Sequence, residues 1–442
     1  MGSDTLKTKT FVPAYSTNAF TYTISDRSSH LSILTVFAKP SLLAHIQDHI
    51  TQTYSNYTLI PGISCKHLPL SYTRQYFSSE ITRDVKQFVL NHFISEGVLD
   101  FLDKKKVVAA NWPRLSSVSG SISDGLTYTF SVSKAPTLSL LNWNEQTFVA
   151  PQRKNYTDLD SQVENFIAQN TQPEGKEKRT TLSHNDWVCF SSHLKTPQST
   201  KLIPIHKEYW LQASAPHIPA ALTQAFLGKH EGEQFTAPVS LLHAQHAGNN
   251  ETGYSFIITV KKIVPHEAMT EKEMSACFDV ENREDLHDKL IEIFSFRNDI
   301  SLRQAIIEEL FYRLLSVYRF DIAPHAVTRR KESLLSSLQD NPDMLVYMKQ
   351  KEFIPHVTRL AENKLKEEAL IDSIAYKENI TVSQEDIVHY LQIMCNDRLK
   401  DFVYFSPLDN ADITVEPISH HLLSRSVRRE KTLNMMIHRL AM

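Results

Sequence analysis

Residues 59–72 read LIPGISCKHLPLSY: a glycine between prolines, a lysine beside a histidine, and no acidic group. The stretch sits between two segments with helical spacing. Upstream, Pro40 suits a first helical turn, and Leu42, Leu43, Ile46 and Ile50 fall on one face. Downstream, Ile81, Val85, Phe88, Val89 and Phe93 mark a second helix. The connection between them is therefore a shaped, apolar, weakly basic loop. Further out, FTYTIS at 20–25 and LTYTFSVS at 126–133 alternate apolar and hydroxyl side chains with period two, as a strand with one buried face does. Helices bracketed by strands make residues 1–136 an α+β head with this loop at one helix end.

The rest of the chain changes style twice. Residues 137–178 hold polar turns and one helical stretch, DLDSQVENFIAQN, and end near QPEGKEKR, which predicts a charged linker. Residues 179–264 carry the short apolar runs DWVCF, EYWLQ and EQFTA and close on the alternation YSFIITVKKI, a small β-rich module. Residues 265–442 read as helix almost throughout. Thr270 with Glu273, and Ser383 with Asp386, have the spacing of helix-capping pairs. Apolar stripes recur at Leu286, Leu290 and Ile293, at Ile306, Leu310, Leu314 and Val317, at Val357, Ala361, Leu365 and Ala369, and at Leu433, Ile437 and Leu440.

Composition narrows the function classes. Ten glycines in 442 residues argue against glycine-rich phosphate loops, and no GxSxG, Walker or dinucleotide motif appears. A formal net charge of −3 supplies no global field toward DNA or an anionic membrane. Cys65, Cys189, Cys277 and Cys395 form no CxxC pair, so neither a disulfide framework nor a zinc site is indicated. His243 with His246, and His420 with His421, lack HExxH spacing and a supporting carboxylate cluster, so no metal and no cofactor are expected. With no signal peptide and no apolar run of spanning length, the expectation is a cytoplasmic chain off the membrane.

The order of an α+β head with a proline-bounded basic loop, a β-rich module and a long helical remainder resembles the trigger factor family, bacterial ribosome-associated chaperones. That family's loop signature, Gly-Phe-Arg-x-Gly-Lys-x-Pro, aligns with Gly62, Ile63, Ser64, Cys65, Lys66, His67, Leu68 and Pro69, the end Gly and Pro matching. The connectors RFDIAPHAV at 319–327 and IAYKENITVSQED at 374–386 also look like the family's. The resemblance implies a multidomain α+β chain: a ribosome-binding head, an FKBP-like prolyl isomerase domain inserted into a mainly helical body, and arms on that body. It implies binding of nascent and unfolded polypeptides beside the large ribosomal subunit, without ATP, and leaves room for a homodimer.

The loop is the implied docking site. An arginine fork can grip a carboxylate in two places and Ser64 cannot, which predicts weaker docking than the family norm, with Lys66 and His67 left to meet phosphates. Arg74 and Lys104–Lys106 would add local positive charge. An ordinary surface turn would have the same composition. In the module, HIPAALTQAFLGKHEGE at 217–233 resembles the family's pocket segment, Ile218, Pro219, Gly228, Gly232 and Glu233 matching. The implied pocket is lined by Tyr209, Trp210, Ile218, Ala221 and Phe256. Twisting an X-Pro amide needs apolar walls rather than a nucleophile, and Ala221 stands where an aromatic floor belongs. Weak or absent catalysis follows, with plain β-module core as the competing reading; isomerisation as the main activity is the alternative function. Met344, Met348, Met394, Met435 and Met436 are adaptable apolar groups. A stripe at helical spacing is far more often core than client site, so none is assigned. Arg425, Arg428, Arg429 and Lys431 are expected on the solvated face of the last helix.

Overall fold

Period-two alternation at the N-terminus produces a five-stranded antiparallel sheet: β1 (Ser16–Thr17), β2 (Phe20–Asp26), β3 (Leu31–Ala38), β4 (Arg114–Ser121) and β5 (Gly125–Ser133), in the order β1-β2-β3-β5-β4. The structure is a computed structural model. It describes residues 16–17, 19–57, 68–151, 158–174, 179–195, 203–214, 218, 220–238, 255–294, 301–339, 348, 350–407 and 417–441. Along β3 every second residue is buried, Leu34 and Val36 completely. This face meets α1 (Pro40–Tyr57), whose Leu43, Ile46 and Ile50 are buried. After α2 (Leu70–Tyr76) comes α3 (Ser78–Val89), which passes through one π-helical turn (Leu90–Ile94) into α4 (Ser95–Lys104). The wide turn accommodates one extra residue. Ser95 Oγ donates to the Leu90 carbonyl at 2.8 Å, and Phe93 turns inward, its ring 5.7 Å from Phe20 and 6.2 Å from Phe88.

The linker contributes to the body core. Trp143 is buried there, its indole N–H donating to Glu378 at 2.9 Å. Then α5 (Leu159–Asn170) leads into β6 (Thr171–Gln172). The module follows: β7 (Trp187–Lys195), β8 (Ile203–Gln212), α6 (Ala220–Phe226), β9 (Gln234–Pro238) and β10 (Ser255–Val264). A short strand from far down the chain, β12 (Ile418–Ser419), adds to its edge, giving the antiparallel order β12-β8-β7-β10-β9.

Between β10 and β12 lie β11 (Met269–Thr270), parallel to β6, and the body helices: α7 (Glu271–Cys277), α8 (Arg283–Phe294), α9 (Leu302–Val317), α10 (Pro324–Gln339), α11 (Phe353–Lys377) and α12 (Gln384–Cys395). The chain ends in α13 (His420–Leu440). Both capping boxes form. Thr270 accepts from the Glu273 N–H at 3.2 Å and Ser383 from the Asp386 N–H at 3.1 Å, each answered by the acidic side chain. The stripe of α9 stops short of expectation: Val317, at its last position, is exposed.

Helix α11 changes character along its length. In its first half only every fourth residue is buried, Val357, Ala361 and Leu365, while Ile354 and Leu360 are exposed. Among the described elements, the helix packs most extensively on α10. From Ala369 to Ala375 burial becomes nearly continuous, because there the helix enters the core formed by Leu370, Ile371, Ile374, Leu433, Met436 and Leu440. Each such fully buried aliphatic side chain contributes about 1.5–3 kcal/mol. Among the described residues, no helix is long and apolar enough to cross a membrane.

Candidate functional site

The head loop has a closed base. Leu68 is buried; its N–H donates to the Ser55 carbonyl at 2.9 Å, and Ser55 Oγ donates to the Leu68 carbonyl at 2.6 Å. Pro69 stands at the N-cap of α2 with φ −58°, and Thr73 Oγ1 donates to its carbonyl at 3.1 Å. Gly62, Ile63, Ser64, Cys65, Lys66 and His67 lie outside the described residues. The surrounding charge differs from expectation. Arg74 is paired with Asp48 at 2.5 Å, which spends much of its positive field locally. Lys104–Lys106 sit at the far end of the α3–α4 helix from the loop, on the order of 40 Å away at 1.5 Å per residue. They do not lie beside the base of the loop.

Lys105 and Lys106 belong to a different feature, a cleft of about 1120 Å³ between the head, the linker and α11. Its walls come from five separate stretches: the end of β2 with Asp26 and Arg27, Ser32 of β3, residues 105–108, residues 134–141, and Ser373, Tyr376 and Lys377 of α11. Lys105, Lys106, Lys134, Lys377 and Arg27 face Asp26 as the one carboxylate of the lining. Lys134 pairs with Asp26 at 2.8 Å. By contrast Lys106 donates to the Tyr376 carbonyl at 3.2 Å and to Asn379 Oδ1 at 2.8 Å, and Lys377 donates to the Leu140 carbonyl. Neutral acceptors leave those charges uncompensated, so the cleft is electropositive. Apolar surface lies at its linker wall: Leu138 and above all Leu141, which is 75% exposed while Tyr318 Oη donates to its carbonyl at 2.6 Å. Residues this far apart carry no joint sequence signal.

In the module the register separates the implied pocket residues. Tyr209 and Trp210 are neighbours on β8 and therefore point to opposite faces. Tyr209 turns toward α6, its ring 5.7 Å from Phe190; Phe190 lies 4.9 Å from Phe226, which lies 5.1 Å from Phe235. Ile218 is buried in the same cluster. Ala221, on α6, is exposed and lines no floor. The Phe256 backbone pairs with Leu194 on one side and Ala237 on the other. Trp210 is fully buried on the other face with Trp187, Cys189 and Val264, against Ile387, Leu391, Ile418 and Leu423 of the body. The sheet is thus covered on both faces. Asp186, which begins β7, is also fully buried: it accepts from Arg179 at 2.7 and 3.0 Å, from the Ser183 N–H at 2.7 Å and from the His266 N–H at 2.8 Å. All of its lone pairs serve the fold.

The basic run of α13 corrects the expectation of a solvated face. Arg429 is buried and grips Asp372, itself fully buried, through two bonds at 2.9 and 2.8 Å; Arg425 adds a third at 2.6 Å. Arg428 reaches Asp103 of the head at 2.6 Å. Lys431 alone remains at the surface, paired with Asp386 at 2.8 Å. Burial pushes the Asp372 carboxyl up, but Arg425 and Arg429 outweigh it and hold the group well below the usual carboxylate range. A run of three arginines and a lysine at helical spacing looks amphipathic either way; the partner Asp372 lies 57 positions from Arg429. Among the methionines, Met436 is core, Met394 and Met435 pack against core clusters, and Met344 lies outside the described residues. Burial pushes the thiols of Cys277 and Cys395 up to about 12, which leaves them poor nucleophiles.

No family model matches the chain. A solved structure described as "Promiscuous Substrate Recognition in Folding and Assembly Activities of the Trigger Factor Chaperone" aligns with a TM-score of 0.35 and 14% identity, over 93% of this chain and 98% of that one. Trigger factor of Geobacter metallireducens is 21% identical over 374 residues, 78% of this chain and 82% of that protein. A collinear match of that length cannot be confined to one of the head, the module or the body. With the α+β head, β-rich module and helical body in the same chain, it supports a divergent member of the trigger factor family.

Proposed function

We propose that this chain is an ATP-independent chaperone that holds nascent and unfolded polypeptides, with residues 1–136 as a ribosome-docking head, 179–264 as an FKBP-like module of little catalytic power, and 137–178 with 265–442 as the holding body. The observation that carries this reading is the cleft of about 1120 Å³, which joins exposed apolar surface at Leu141 to uncompensated lysines. Such a surface suits transient contact with unfolded segments, which present apolar and acidic groups without fixed shape. Docking on the large ribosomal subunit beside the exit tunnel would fall to the loop 62–69, whose base at Leu68 is bonded to Ser55. The cytoplasm is the compartment this role requires.

Isomerisation as the main activity is the rival. Against it stands Ala221 on the outside of α6, while the space below is filled by Phe190, Phe226 and Phe235.

One experiment with two readouts tests the proposal. The full-length protein should suppress aggregation of a chemically unfolded protein on dilution, without ATP, and should co-sediment with ribosomes in a salt-sensitive manner. Leu141→Ser, at an exposed position, should weaken aggregation suppression several-fold and leave sedimentation intact. Lys66→Ala with His67→Ala should do the reverse. Unchanged suppression in Leu141→Ser removes the cleft from the mechanism, and suppression of nothing by the parent protein removes the chaperone reading.

A further inference from the structure

Cys189, Glu208 and His420 bring one thiol sulfur, one carboxylate oxygen and one imidazole nitrogen to within 4.8 Å of one another. The topology dictates this meeting. Cys189 on β7 is the direct cross-strand partner of Trp210 on β8, and Glu208 lies two residues from Trp210, hence on the same face. On the other side of β8, Ile418 of β12 pairs with Trp210 and Ser419 with Tyr209. His420, the next residue, comes to the level of Glu208 as the chain enters α13. Two consecutive strands and the first residue of a helix from far down the chain each contribute one ligand type.

We propose that these three side chains form a site for a single Zn²⁺ ion, which staples the module to the C-terminal helix. Zinc takes thiolate, imidazole and carboxylate at about 2.0–2.3 Å, so a tetrahedral set needs ligand atoms about 3.5 Å apart. His420 Nδ1 and Glu208 Oε2 are already 3.8 Å apart. Closing the triangle takes side-chain movements of about an ångström or less, and Glu208 and His420 retain the freedom for it, their side chains being 46% and 34% exposed. The thiolate and carboxylate together neutralise the dication. Cys189 is buried, which shields the zinc–sulfur bond, while the partly open side leaves the fourth position to water.

The surroundings select the nitrogen. The Trp210 indole can only donate, and it donates to His420 Nδ1 at 3.3 Å. Nδ1 therefore carries a lone pair in this tautomer, with the ring proton on Nε2. A metal would take the place of that long, weak hydrogen bond at the atom facing Glu208. Uptake also displaces the thiol proton of Cys189, which leaves to solvent. Lys261, exposed at a β-bulge of β10 beside Cys189, is close enough to act on the thiol. It disfavours the ion, and Lys261→Ala should tighten binding.

The test uses the full-length protein and Co²⁺ as a spectroscopic stand-in for Zn²⁺. One Co²⁺ per chain should bind with a thiolate-to-cobalt charge-transfer band in the near ultraviolet, and Zn²⁺ should displace it. The band should persist in the triple variant Cys65→Ser, Cys277→Ser, Cys395→Ser and vanish in Cys189→Ser. His420→Ala, at a partly exposed position that leaves the sheet intact, should lower affinity at least tenfold, and Glu208→Gln several-fold. Added Zn²⁺ should raise the unfolding midpoint of the parent protein but not of His420→Ala. Absence of a band in the parent protein, a band that survives Cys189→Ser, or affinity unchanged in His420→Ala overturns the proposal.

Discussion

The body holds the head and the module in different ways, and the first turn of α13 shows both at once. His420 faces the module, beside Glu208 and Trp210; its neighbour His421 faces the head, among Asp103, Arg425 and Arg428. The module seam is apolar and continuous, with two tryptophans, Val264, Ile418 and Leu423 in one cluster and a strand added across it. The head seam is built from small residues, Ala110, Ala135, Ala323, Ala326 and Ala369, and from polar bonds. Asn111 donates to the Ala326 carbonyl at 2.8 Å, Arg329 to the Trp112 carbonyl at 3.0 Å, and Ser133 meets His325 at 2.6 Å. Tyr376 and Arg428 both hold Asp103. An apolar seam loses contact gradually and depends weakly on pH. A seam of desolvated charges is all-or-none: intact it is neutral overall, but the loss of one partner strands the other in a poor solvent.

The sharpest way to break the contrast is Asp372→Ala. It removes the carboxylate that compensates Arg429 and Arg425 where the charged seam is rooted in the body. Leaving a buried guanidinium unpaired costs about 3–5 kcal/mol, and urea denaturation of the full-length protein should show a loss of that size. Replacement of Asp372 and Arg429 together by apolar residues should recover much of it. If the single variant costs under about 1 kcal/mol, water reaches the cluster and the seam is not desolvated.

A shift from pH 7 to pH 5 should separate the seams further. Burial lowers the His421 pKa to about 4, with Asp103 opposing the shift and Arg425 assisting it. His49, in the head core, is lowered by burial to about 4 as well. The sign follows directly: the unfolded chain takes up a proton on each imidazole below about 6.5, the folded chain does so only near 4, so stability is lost as pH falls through that window. The loss at pH 5 is about 2 kcal/mol for each such histidine. Burial raises Glu367 and Glu430, which oppose this trend, so the decisive measurement is a difference. His421→Gln should flatten the pH dependence of unfolding by about 2 kcal/mol over that range, with His49→Gln as the control away from the seam. An unchanged slope in His421→Gln means the imidazole is not held neutral there.

Elements were legible in the sequence where one period governs a whole segment. The stripe Val357, Ala361, Leu365, Ala369 places α11, and Thr270 with Glu273 places the start of α7, because both signals are local. The π turn was not, since Phe93 fits a helical face roughly whether or not an extra residue intervenes. The sites were less legible still. Tyr209 and Trp210 read as partners in one pocket until the strand register sends them to opposite faces. The run Arg425, Arg428, Arg429 reads as a solvated stripe because Asp372 and Asp103 lie on other elements. The cleft and the Cys189–Glu208–His420 triad are products of tertiary contact, and no spacing along the chain encodes either.

The smallest effect tests whether the two seams share one hinge. Ser419 ends β12 and caps α13, its Oγ accepting from the Leu422 N–H at 3.3 Å, while its backbone pairs with Tyr209 of the module. Ser419→Ala removes the cap and keeps the strand pairing, at a cost of about 1 kcal/mol. Because the capped turn carries both His420 and His421, fraying there loosens the register of α13 toward module and head alike. Amide hydrogen exchange should therefore quicken by about fivefold in the first turn of α13 and in β8, and also around Asp103 in α4. Quickening confined to β8 would show that the cap serves the module seam alone, and that the charged seam is positioned by Arg428 and Arg429 further along the helix.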